Sequence, residues 1–124
     1  MAWQFDSGRP IYTQLLEQIR FLIISGQYPA GSKLPSVRDL AAESSVNPNT
    51  MQRALTELER SGLIYSQRTA GRFVTEDEEW IKQMKESIGQ EKILTFFHEM
   101  EQLGYEADEI IDLIHKVVSC DSLI

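Results

Sequence analysis

At 124 residues, 42% of them hydrophobic, the chain is about one domain's worth of sequence, enough for a modest core but short of a separate catalytic or ligand-binding domain. The opening MAWQFDSGRP lacks the charged-then-apolar pattern of a secretory signal, and the longest apolar run in helix-like sequence, FLII at 21–24, is far below the roughly 20 residues of a membrane span. A soluble, cytoplasmic protein is expected, and the single cysteine, Cys120, which rules out an intrachain disulfide, suits a reducing compartment.

In PIYTQLLEQIRFLIISG, Pro10 suits a helix start and Gly26 an end, while Ile11, Leu15, Ile19, Leu22 and Ile23 recur on one face. The loop QYPAGSKLP follows, and Ser36 with Asp39 three residues on forms a near capping box for a second helix that buries Val37, Leu40 and Ala41. Asn47 is a good N-cap and Pro48 suits the first helical position. Met51, Ala54, Leu55 and Leu58 then fall at helical spacing, so a third helix runs to Ser61 and stops at Gly62. Beyond it the period becomes two: LIYSQ and RFVT flank Arg68-Thr-Ala-Gly71, a hairpin whose glycine supplies the positive φ of the turn. Three helices and a two-stranded wing make a mainly α fold, a winged helix-turn-helix over 1–75. The tail 76–124 is helical again, with stripes Trp80, Ile81, Met84, Ile88, then Ile93, Phe96, Phe97, Met100, Leu103, then Ile110, Leu113, Ile114, Val117 and Val118.

The net charge of −7 divides along the same line. Residues 1–75 hold eight Lys/Arg against six Asp/Glu, a net of +2, whereas 76–124 hold four against thirteen, a net of −9. Such a split suits one part facing a polyanion and another kept off it. The acidic run Glu76-Asp-Glu-Glu79 at the join also fits a helix start, where carboxylates meet the positive dipole end.

With its apolar stripe turned inward, the third helix presents Asn49, Gln52, Arg53 and Thr56, with Asn47 and Thr50 at its N-terminal end. Asn and Gln bond adenine edges, Arg forks onto guanine, and Thr reaches phosphate or a thymine methyl. The N-terminal part of the second helix of a helix-turn-helix is the part that enters the major groove. A merely solvated face is the competing explanation, but Lys and Glu are missing from its first two turns. Arg38 sits against the positive end of the second helix's dipole, an unfavourable placement that a phosphate would offset, unless Asp39 or Glu43 pairs with it. Lys33 before that helix, and Arg68 and Arg72 around the wing turn, suit backbone phosphates or a minor groove.

The tail is too small to hold a core alone. Phe96, Phe97, Met100, Leu103, Ile110, Leu113, Ile114 and Val117 fit a helical hairpin closing on its twin, against core packing within one chain as the alternative. Phe96, Phe97 and Tyr105 would line a pocket for a small effector if one binds. Trp3 and Phe5 fit either a dimer contact or a cover for the monomer. No catalytic set, metal site or cofactor is expected: His98 and His115 lack HExxH spacing, there is no CxxC pair, and there is no Gly-rich phosphate loop.

LPSVRDLA followed by VNPNTMQRALTELERSGLIYSQRTAGRFV resembles the DNA-binding domain of GntR-type bacterial transcription regulators, closely over residues 9–75. The short tail resembles the YtrA-like subfamily. By position, Arg38 matches the family's phosphate-contacting arginine, Ser36 belongs to the same LPSxR motif, Asn47 to Arg53 match its base-reading segment, and Gly71 its wing glycine. Pro48 and Gln52 replace arginines of many relatives, and RTAGRFV replaces a common RGxGTFV, with Thr69 for one glycine and Arg72 gained. The resemblance implies a dimeric cytoplasmic repressor on a pseudo-palindromic operator, often of its own operon and neighbouring ABC-transporter genes. A protein-interaction adaptor on the same fold is the alternative of another class, and a small metal- or effector-responsive enzyme a more distant one.

Overall fold

Helix α1 (Ile11–Ile24) starts after Pro10 and turns Leu15, Ile19, Leu22 and Ile23 into the core, whereas Ile11, counted in the same stripe, stays exposed. The structure is a computed structural model that describes residues 3–120, so the outer ends of the ranges 1–75 and 76–124 lie outside the described residues. It divides into two units, one reaching Met84 and the other starting at Lys85. The first therefore takes in ten residues beyond Val74, the end of the wing.

In the first unit α2 (Val37–Ser44) is capped by Ser36, whose hydroxyl oxygen accepts the Asp39 N–H at 3.1 Å. Ser45, at φ 57, turns the chain toward α3 (Pro48–Ser61). The core gathers Leu15, Ile19 and Ile23 with Leu40, Ala41, Met51, Ala54, Leu55, Leu58, Leu63, Ile64 and Val74, so all three helices and the wing share one apolar cluster. Trp3 and Phe5 pack against that cluster as a cover on the monomer. Their segment is held by buried Gln14, which accepts the Asp6 N–H at 2.6 Å and donates to the carbonyls of Asp6 and Arg9 at 2.7 and 2.9 Å.

Strands β1 (Ile64–Gln67) and β2 (Gly71–Val74) pair antiparallel from Ile64 with Val74 to Gln67 with Gly71. The Ala70 N–H reaches the Gln67 carbonyl at 3.1 Å and Gly71 follows at φ 102, a three-residue loop closed by a left-handed residue. The loop before α2 is more ordered than its punctuation suggests: the Leu34 N–H donates to the Arg72 carbonyl and the Val74 N–H to the Ser32 carbonyl, both at 2.9 Å. This lays Lys33 beside β2.

The wing is tied to α3 by one carboxylate. Glu59 accepts from the Ser66 hydroxyl at 2.5 Å and from Arg72 Nε at 2.6 Å. Burial would push the Glu59 carboxyl up, but the bonds from Ser66 and Arg72 and the Arg72 charge outweigh it and hold the group below its ordinary value.

Helix α4 (Glu78–Gln102) begins where the acidic run suggested, with the Asp77 carboxylate accepting the Trp80 N–H at 3.0 Å. Its first turns belong to the first unit: Ile81 and Met84 pack on the core, and the Trp80 indole N–H donates to the Ser61 carbonyl at 3.1 Å. The second unit holds the remainder of α4, a turn at Gly104 and α5 (Ala107–Val118). Ile110 is its buried residue among those described; Ile93, Leu94, Leu103, Ile111 and Val118 are exposed. No helix among the described residues is long and apolar enough to cross a membrane.

Two outcomes follow. Gly62 ends α3 at φ 86, and a Cβ there would lie 3.3 Å from Trp80 Nε1. Gly62→Ala should lower the unfolding free energy by roughly 1–2 kcal/mol, measured by denaturant titration. Because the Glu59 carboxyl is depressed, its contribution is present above the ordinary glutamate value of about 4.3 and lost as pH falls through its folded value. Glu59→Gln should therefore melt lower than wild type at pH 7, by about 0.5–1 kcal/mol, with the gap closing in acid; parallel melting at both pH values would show that the tie contributes nothing.

Candidate nucleic-acid interface

The candidate surface starts with a cap. Asn47 Oδ1 accepts the Asn49 N–H at 2.8 Å, and Pro48 occupies the first helical position, so α3 begins without any apolar residue before Met51. Asn49, Gln52, Arg53 and Thr56 are exposed and Thr50 is half-buried. Not every side chain in the row is equally available. The Asn47 carbonyl oxygen is used by the cap, leaving its amide to donate, and the Thr56 hydroxyl donates to the Gln52 carbonyl at 2.9 Å. Among the described residues, none takes a hydrogen bond to the side chains of Asn49, Gln52 and Arg53.

A second group meets in a cleft of about 590 Å³ between the start of α2 and the wing, lined by Lys33, Ser36, Val37, Asp39, Arg68, Gly71 and Arg72 among others. Gly71 has two reasons to be glycine: its φ of 102, and the Lys33 side chain, whose Cε would stand 3.3 Å from an added Cβ. Lys33 can therefore lie across the wing turn and extend its ammonium group. Ser36 Oγ accepts at the helix start, so its O–H remains a donor.

Ion pairing sorts the cations. Arg9 pairs with Glu17, Arg60 with Glu57 and Arg72 with Glu59. Among the described residues, Lys33, Arg38, Arg53 and Arg68 have no carboxylate partner, and neither do Arg20 and the four lysines of α4 and α5, which lie away from α2, α3 and the wing turn in sequence. Arg38 is exposed and pairs with neither Asp39 nor Glu43, so the unfavourable dipole placement is left without an internal anion. Arg72, expected beside Arg68 as a wing cation, is instead half-buried on Glu59 and braces the wing. Arg53 also differs from expectation, since its guanidinium carbon lies 4.1 Å from the centre of the Tyr12 ring.

In the second unit the residues assigned to a dimer contact separate by exposure. Phe96, Leu103 and Val117 are exposed, Phe97, Met100, Leu113 and Ile114 are half-buried, and Ile110 is fully buried as the packing centre of the hairpin. Phe96, Met100, Leu113, Ile114 and Val117 line an apolar groove of about 280 Å³ together with Ile110 and Val118. Leu94 and Ile111, outside the residues assigned to a dimer contact, are exposed as well. His98 lies 3.3 Å from the Gln102 amide, and among the described residues no cluster of His, Cys, Asp and Glu is arranged to hold a metal ion.

Residues 11–74 match the family model described as "Bacterial regulatory proteins, gntR family". The HTH-type transcriptional regulator YhcF of Bacillus subtilis is 37% identical over 109 residues, 88% of this chain and 90% of that one. The HTH-type transcriptional repressor YtrA of the same organism is 34% identical over 116 residues, 93% of this chain and 88% of that one. A GntR family transcriptional regulator from Listeria monocytogenes superposes with a TM-score of 0.84 at 42% identity, covering 90% of this chain and 98% of that one. The AraR DNA-binding domain, solved in complex with operator ORE1, superposes with a TM-score of 0.52 at 28% identity over 60% of this chain and 94% of that one. A capped, polar recognition helix, a braced wing and relatives that are regulators rather than enzymes converge: the chain belongs to the GntR family, and its winged helix is that family's DNA-binding domain.

Proposed function

We propose that the chain acts in the cytoplasm as a homodimeric, sequence-specific repressor, placing one winged helix on each half of a pseudo-palindromic operator. The observation that carries this is the placement of cations: Lys33, Arg38, Arg53 and Arg68, without a carboxylate partner among the described residues, stand before and at the start of α2, on the outer face of α3 and at the wing turn, where an outside anion can reach them. An adaptor would have no use for them. Repression is supported by the resemblance to YtrA, which is named as a repressor. Its own operon and adjacent transporter genes are the targets the resemblance implies.

Dimerisation is supported by the exposed apolar side chains of the second unit, among them Phe96, Leu103, Ile111 and Val117. A single winged helix reads few base pairs, and two half-sites about a helical turn apart, or a multiple of it, multiply discrimination.

In a gel shift on the DNA upstream of the chain's own gene, Arg53→Ala should weaken binding roughly ten- to a hundredfold. Arg38→Ala should weaken binding and reduce the salt slope by about one. Wild-type affinity in both variants, with a flat salt dependence, would favour the adaptor. Phe96→Asp and Val117→Asp change residues exposed on the single chain. Both should give folded monomers in analytical ultracentrifugation with weakened operator binding, and an unchanged dimer would move the interface elsewhere.

A further inference from the structure

Arg53 and Tyr12 stand 41 positions apart, and nothing in the spacing of either suggests the other. Tyr12 sits in the first turn of α1, half-buried and packed against the core cluster, so its ring is a platform fixed from behind. The Arg53 guanidinium lies over that ring at 4.1 Å, while the residue as a whole remains exposed. A guanidinium held over an aromatic face keeps the N–H groups directed away from the ring open to other partners. Among the described residues no carboxylate takes those groups, in contrast to Arg72, whose Nε is spent on Glu59 at 2.6 Å. What remains is a planar fork of donors held at the edge of the recognition helix, the shape that matches the O6 and N7 acceptors of guanine.

We propose that Tyr12 is a positioning residue for base reading: its ring stacks on Arg53 and holds the guanidinium fork in place for a guanine in each half-site. This rests on the DNA-reading function proposed above. An unstacked arginine is a long side chain with many rotamers, and whatever freedom it loses on meeting a base weakens the contact. A stacked one has lost much of it already, and it is also less free to swing aside to a phosphate. Tyr12 therefore sharpens preference at one column of the site rather than adding affinity everywhere. Among the described residues Gln52, beside Arg53, has no such platform, so its column should be the more permissive of the two.

The test is selection from a randomised duplex library by the full-length protein, followed by sequencing. Wild type should enrich half-sites with a guanine column, and Arg53→Ala should flatten that column. Tyr12→Leu should reduce preference at the same column by roughly two- to fivefold, leaving the other columns intact. Tyr12→Phe keeps the ring and should behave as wild type, and in the Arg53→Ala background Tyr12→Leu should change nothing further. Should Tyr12→Leu fail to fold, pentafluorophenylalanine at position 12 keeps the size of the ring, reverses its charge distribution, and should flatten the same column. An unaltered column in both replacements would overturn the proposal, as would equal weakening of every column. Loss of affinity in Tyr12→Phe would do so too, since it would assign the hydroxyl to a phosphate. No enriched sequence with wild type would sink the DNA-reading function itself, an outcome distinct from a wild-type motif that Tyr12 does not influence.

Discussion

Four side chains of α3, Met51, Ala54, Leu55 and Leu58, are sealed into the core with 1% exposure or less, and that burial fixes the rotation of the helix about its own axis. With 3.6 residues per turn, nothing else is free once one face is chosen: Asn49, Gln52, Arg53 and Thr56 must point outward. The polar outer face of α3 is thus a consequence of core packing. Asn47 and Pro48 extend it, because capping with an amide and a missing N–H starts the helix without an apolar residue in its first turn.

Charge is divided on the same principle. A carboxylate at the C-terminal end of α3, Glu59, takes the wing arginine Arg72 and the β1 hydroxyl of Ser66 together, a polar tie added to the apolar cluster that Ile64 and Val74 share with that helix. The departure of this wing from the common family pattern then has a structural sense. The arginine gained at position 72 braces the hairpin, and Arg68, at the turn, is exposed and has no carboxylate partner among the described residues. Lys33 joins it through pairing of its strand-like segment with β2, which a loop reading of QYPAGSKLP hides.

Much of this was legible in the chain. Caps and stops are local chemistry, so Ser36, Asn47, Pro48 and Gly62 mark their helix ends, and the change of period marks the wing. In the first three helices the stripes name most of the core, with Ile11 exposed and Val37 only half-buried, whereas most of the tail stripes stay on the surface of the single chain. What sequence could not give was contact at a distance. The pairs Glu59 with Arg72 and Tyr12 with Arg53 depend on where tertiary packing brings elements, and no periodicity encodes them. The two apolar stripes before Gly104 likewise read as separate, although α4 runs through Gly89: one glycine costs a helix only about 1 kcal/mol, too little to break 25 residues.

The arrangement at Tyr12 shows how economically a domain of this size is built. The first helix contributes Leu15 and Ile19 to the sealed core, Gln14 to the clamp on the N-terminal segment, and Tyr12 to the stack under Arg53. Tyr12, three residues before Leu15 on the same helix, packs against the sealed cluster to which that residue belongs. A close-packed interior resists movement far better than a surface side chain does. The rigidity that keeps the fold in a single state is therefore passed, through one aromatic ring, to an exposed guanidinium that packing alone would leave loose.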